Sequence, residues 1–141
     1  MLLATGENAG PEQPRNVSGP DFLCVGMAKA GTAWLGDQLR RHPQFWMPPV
    51  QELGYLGRDA PALRSANRRL QRIRQRTSRK DVALPKNVSE ADVRFLEEIA
   101  ACTGQTRNID IYLSLFRHKG ARQSGDISPR YSALEPHIIH E

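Results

Sequence analysis

The sequence predicts an α/β domain in which a short parallel sheet is flanked by helices, and three observations lead there. Asp21-Phe22-Leu23-Cys24-Val25-Gly26 is a nearly continuous apolar run that stops at a glycine, the pattern of a strand buried on both faces of a parallel sheet. Directly after it, the loop GMAKAGTAW leads into Trp34, Leu35 and Leu39, apolar residues at helical spacing. Near the other end, Gly125-Asp126-Ile127-Ser128-Pro129-Arg130-Tyr131 reads as a second short strand turning into a loop.

The remaining elements follow in order. Residues 1–20 hold three prolines and three glycines among small polar residues, without apolar periodicity, and read as a disordered leader. Thr32 is the expected N-cap of a helix that His42-Pro43 stops. Residues 43–57, with three prolines and mixed aromatics, read as loop. Ala60 to Gln75 is expected to be helical, with Leu63, Leu70 and Ile73 inward, followed by a loop through Pro85. Ser89-Glu90-Ala91-Asp92 matches a capping box with Asp in the usual Glu place; it opens a helix through Val93, Leu96, Ile99 and Ala100 that ends before Gly104. Ile109 to Phe116 alternates like a strand, but its length and its Arg117-His118-Lys119-Gly120 ending predict a helix with a cationic last turn. Pro136 to Glu141 would begin another helix.

The chain has 141 residues, enough for one modest domain or part of a larger one. With 39% hydrophobic and 25% charged residues it is neither collagen-like, nor a disordered acidic tail, nor a disulfide-built miniprotein. Cys24 and Cys102 lack metal-ligand spacing and read as small buried hydrophobes, and no metal site is expected. Without an apolar run of roughly 20 residues, and with Met1 to Thr5 too short for a signal peptide, a cytoplasmic protein with no membrane partner is expected. The net charge of +5 is local. Residues 64–80 hold eight of the 20 basic residues and no acid, leaving 12 basic against 15 acidic residues elsewhere. Such a segment reads as a solvated helix face or basic loop. It has no aromatic for base stacking, which disfavours nucleic acid as a partner.

The chemistry concentrates in Gly26 to Trp34. Glycines let a backbone approach an anion, a following helix N-terminus offers free N–H groups, and Lys29 adds a full charge. The loop is P-loop-like in setting but differs from GxxxxGK[ST]: Lys29 precedes Gly31, and Ala30 follows it where the magnesium-binding hydroxyl belongs. A magnesium-dependent nucleotide kinase is therefore disfavoured. A nucleotide whose transferring end carries less charge than a triphosphate fits better.

KAGTAW resembles the KxGTTW loop of sulfotransferases that use 3′-phosphoadenosine 5′-phosphosulfate (PAPS). The resemblance extends over DFLCVGMAKAGTAWLGDQLRRHPQFWMPPVQELGYLG and is joined by GDISPRYS, similar to a Gly-Glu-x-[Ser/Thr]-Pro-x-Tyr segment of carbohydrate-type and bacterial members. It covers Asp21 to Glu141, loosely between Arg58 and Arg122. It implies that Lys29 contacts the 5′-phosphosulfate and stabilises the leaving phosphate, with the amides of Ala30, Gly31, Thr32, Ala33 and Trp34 and the Thr32 hydroxyl binding the same group. Glu52 falls on the general base. A carboxylate takes up that role beside an apolar wall, here expected from Leu53, Tyr55 and Leu56. His42 is the rival base, but its place before Pro43 suits capping or packing. Trp34 and Trp46 read as core or cleft-wall aromatics, and Ser128 and Tyr131 as either acceptor-side or turn residues. Gln51, Gly54, Ala33 and Asp126 depart from the family's usual lysine, histidine, threonine and glutamate.

The function so implied is sulfuryl transfer from PAPS, without a metal, to a hydroxyl on a small molecule or carbohydrate. The family's 3′-phosphate segment would lie beyond Glu141, so the chain resembles the N-terminal half of such an enzyme and is expected to be weak or inactive alone. The alternative is a non-catalytic remnant that binds anions or nucleic acid through residues 64–80.

Overall fold

The structure, a computed structural model, describes residues 19–57, 61–78, 83–102, 107–135 and 137. Among these it is a mixed helix and strand arrangement of four helices and an open, two-stranded parallel sheet. Strand β1 is Phe22–Cys24 and helix α1 is Thr32–Arg41; α2 is Pro61–Thr77, α3 is Glu90–Ala101, α4 is Ile109–Ser114 and β2 is Gly125–Ile127. The leader up to residue 18, Gly104 and the helix expected at Pro136 to Glu141 lie outside the described residues, His137 apart.

Local signals account for most element ends. Ser89 caps α3 with both arms of the box in place: its Oγ accepts from the Asp92 N–H (3.2 Å), and Asp92 accepts from the Ser89 N–H (2.8 Å). The other Asp92 oxygen accepts from the buried Trp46 indole (3.1 Å), so the cap also anchors a core aromatic. Ile109 to Phe116 is helical as expected, continuing after α4 into a 3₁₀ turn at Leu115–Lys119 that Gly120 closes at φ 60°. Asn108 settles the choice against a strand, because its side chain accepts from the Ile111 N–H at 3.1 Å.

The core lies where α2 and α3 meet α4, its 3₁₀ extension and the proline-rich segment 46–55. It contains Ala66, Leu70 and Ile73 from α2, Phe95, Leu96 and Ile99 from α3, and Tyr112, Leu115 and Phe116. Leu63 is only half-buried at its margin. Cys102 is buried and Cys24 half-buried, and both thiols are free.

The sheet departs from expectation. β1 pairs in parallel with β2, Phe22 opposite Gly125 through Cys24 opposite Ile127, but β1 is not buried on both faces. Phe22 and Cys24 face inward, whereas Leu23 is 50% exposed and Val25 is exposed too. The cause is topological: among the described residues β2 is the only neighbour of β1, and nothing covers its outer side. A Cβ at position 125 would enter the Phe22 ring, so a larger residue there requires that side chain to move.

A buried lysine ties the sheet together. Lys119 donates to Asp21 (2.8 Å) and to the Gly19 carbonyl (2.9 Å), and Asp21 also accepts from the Ser124 N–H (2.7 Å). The Lys119 hydrogen bond holds the Asp21 carboxyl below its usual 3.8. A depressed pKa stabilises the fold above pH 3.8, and that contribution is lost as pH falls through the folded value. Asp21→Asn is therefore expected to lower the thermal midpoint at pH 7, by an amount that shrinks toward pH 2–3. A gap of equal size at both pH values would reject the linkage.

Candidate functional site

The loop after β1 opens with a tight turn. The Ala30 N–H donates to the Met27 carbonyl (3.2 Å), and Lys29, third in the turn, takes φ 69° as a type II turn requires. Gly31 follows at φ 82° and is the N-cap of α1, one residue earlier than the expected Thr32. Its conformation is left-handed, which suits glycine and no β-branched residue. The first helical bond runs from the Leu35 N–H to the Gly31 carbonyl (3.0 Å), so the amides of Thr32, Ala33 and Trp34 precede the ladder and have no carbonyl partner among the described residues. These three N–H groups, at the positive end of a ten-residue helix, are where an anion binds most readily. The Ala30 amide, by contrast, is already spent on the turn.

Thr32, Ala33 and Gly36 of α1 form one wall of a narrow cleft. Met47, Val50, Gln51, Glu52 and Leu53 form the opposite wall, and β2 lies at the bottom. Its enclosed space is about 20 Å³, room for a single water, so anything larger sits at its mouth. The structure thus brings Thr32, Ala33 and Glu52 to one cleft. Lys29, Ala30 and Trp34 do not line it. Lys29 is exposed in the loop above, and Trp34 is 68% exposed on the outer face of α1. That corrects the expectation of a core or cleft-wall Trp34: no described element packs over that face. Trp46 is in the core as expected.

Glu52 is half-buried with φ 55°, and its carboxylate lies 3.9 Å from the Arg130 guanidinium, both groups well exposed. Of its expected wall, Leu53 does line the cleft. Tyr55 turns the other way, buried and stacked on Tyr112 at 5.9 Å, and burial pushes its hydroxyl up to about 12. His42 caps the C-terminus of α1, accepts from the Gln44 N–H (3.3 Å) and packs edge-on against Phe45 (5.4 Å), which is the packing role expected for it.

Beneath Glu52 lies a polar centre whose construction the sequence did not disclose. Asp126 is 0% exposed and accepts from the hydroxyls of Ser128 (2.6 Å), Tyr131 (2.8 Å) and Tyr112 (3.0 Å), with the Leu53 amide as a further donor. Burial pushes its carboxyl up, and these hydrogen bonds pull it partly back. Ser128 accepts in turn from the Gly54 N–H (3.0 Å) and Tyr131 from the Leu56 N–H (3.4 Å). Ser128 and Tyr131 therefore do not face a ligand; they fasten residues 53–56, and so the Glu52 backbone, onto β2. The spacing Asp-x-Ser-x-x-Tyr was visible as a signal, but Tyr112 was not.

Lys29 and Glu52 share one further property. With Arg107 they are the non-glycine residues at positive φ among those described. Left-handed backbone costs such residues about 1–2 kcal/mol and concentrates at functional positions. Glu52→Gly is accordingly expected to leave the thermal midpoint unchanged or raise it by a few degrees, the exposed Arg130 pair contributing little. A marked drop in the midpoint would show that Glu52 supports the fold.

Compared with known protein families, with curated proteins and with solved structures, the chain finds no match in any of the three. Among the described residues no group of metal-ligating side chains occurs, and no helix is long and apolar enough to cross a membrane.

Proposed function

We propose that this chain binds the 5′-phosphosulfate end of PAPS at the loop Gly26 to Trp34, in a P-loop-like setting, and takes part in sulfuryl transfer to a hydroxyl of a small molecule or carbohydrate. The observation that carries the reading is that Thr32 and Ala33, whose amides are free, and Glu52 line one cleft, and that the turn holding Lys29 at positive φ leads directly into that helix start.

In this reading the acceptor oxygen attacks sulfur, the bond from sulfur to the phosphate oxygen breaks, and the acceptor's proton passes to the Glu52 carboxylate. The charge left on the phosphate is met by Lys29 and the three amides. Such a transfer needs little covalent help from the protein, so positioned charge supplies most of the rate. Glu52 is held for its task by the Asp126 centre, which fastens the residues after it.

The test is calorimetric titration with 3′-phosphoadenosine 5′-phosphate in EDTA. Binding without a divalent ion is expected, with no heat from ATP and magnesium at the same concentrations. No binding of the bisphosphate, or binding that appears only with magnesium and ATP, overturns the reading.

A further inference from the structure

The arginine-rich segment is not used by the site above. It forms one long wall of a second cleft, of about 580 Å³, between α2, the start of segment 49–51 and residues 85–88. Arg68, Arg69, Arg72 and Arg76 line it, with the side-chain amides of Gln51 and Asn87 across from them. At about 100° per residue these four arginines occupy an arc of about 100° beside the buried stripe of Ala62, Ala66, Leu70 and Ile73. Helix α2 thus has two different flanks. Arg74, on the far one, pairs with Glu97 of α3 at 3.2 Å. The cleft arginines have no carboxylate within salt-bridge distance among the described residues, and no acidic residue lines the cleft.

Arg69 makes the imbalance acute. It is half-buried between this cleft and a neighbouring one that also holds Arg40 and Lys86. Its guanidinium is destabilised by burial first and by Arg40 second, and Asp92 only partly compensates. A partly desolvated cation facing others of its own sign gains most when an anion arrives.

We propose that this cleft is a binding site for a small oligoanion carrying two or more phosphate or sulfate groups. Shape and lining select that class. Arg68 to Arg76 span about 12 Å of helix, and the volume is that of a small-molecule site. A concave cleft does not suit a lipid surface, and without an aromatic in the lining there is no platform for a nucleic-acid base. Guanidinium forks match the oxygens of phosphate and sulfate alike, with the Gln51 and Asn87 amides as neutral donors. The proposal does not rest on sulfuryl transfer, because neither Lys29 nor Glu52 lines this cleft.

Calorimetric titration of the full chain with inorganic tripolyphosphate, with a trisulfated disaccharide and with its unsulfated parent tests it. One or both anions are expected to bind while the unsulfated sugar does not, and the stronger of the two identifies the source of the charged groups. Raising salt from about 50 to 200 mM is expected to weaken binding severalfold. Arg72→Gln with Arg76→Gln, both exposed and outside the core, is expected to weaken binding at least about tenfold. Arg94→Gln, which removes a charge from the exposed side of α3, is expected to leave it unchanged. Absence of binding by both anions, equal loss in the Arg94→Gln control, or stronger capture of a dodecanucleotide or of phosphatidylglycerol vesicles overturns the proposal.

Discussion

Replacing Lys29 with alanine is expected to lower whatever sulfuryl transfer the unsubstituted chain supports by about a hundred- to a thousandfold, the range found when one positioned group is removed from a developing charge. The loss belongs to turnover and not to folding. Lys29 is exposed, lies in a turn closed by main-chain atoms, and has no side-chain hydrogen bond or ion pair among the described residues, so the thermal midpoint should stay within about 1–2 °C. Release of 3′-phosphoadenosine 5′-phosphate, with p-nitrophenol and glucose as hydroxyl probes, reads the effect. Lys29→Arg keeps the charge and should recover part of the rate. Near-normal turnover in Lys29→Ala would reject the role assigned to this residue. A midpoint that falls along with the rate would show that the lysine holds the turn together.

Asp126→Ala is expected to be the most destabilising single change, by about 3–5 kcal/mol, or about 10–20 °C in midpoint. The variant leaves three buried hydroxyls and the Leu53 amide without their common acceptor, and each such group costs about 1–3 kcal/mol when it finds no other. Should Asp126→Ala fail to fold, Tyr131→Phe and Tyr112→Phe report the same centre at about 1 kcal/mol each. Tyr131→Phe also removes the acceptor of the Leu56 N–H and should loosen the segment after Glu52 more than Tyr112→Phe does. Hydrogen exchange at Gly54 and Leu56 distinguishes the two variants. If both tyrosine variants match the wild type in midpoint and exchange, Asp126 is not the anchor of that segment.

The parts legible in the sequence are those set by neighbours a few residues apart. The α3 capping box and the end of α1 at His42 each rest on interactions within about one helical turn, which residue order alone determines, and the start of α1 was legible to within one residue, the cap being Gly31 and not Thr32. So was the order of strand, loop and helix that makes Lys29 a candidate. What the tertiary structure decided is burial and company. Leu23, Val25 and Trp34 have the composition of core residues yet face outward, because nothing among the described residues packs on that side of β1 and α1. The Asp126 centre joins Tyr112, Ser128 and Tyr131 to backbone at Gly54 and Leu56, over separations of up to 75 residues. The basic segment likewise became a cleft only when Gln51 and Asn87 were folded against it. Residue order specifies which groups a helix turns to the same side, but whether that side meets water, a core or an opposing wall depends on chain brought from far away.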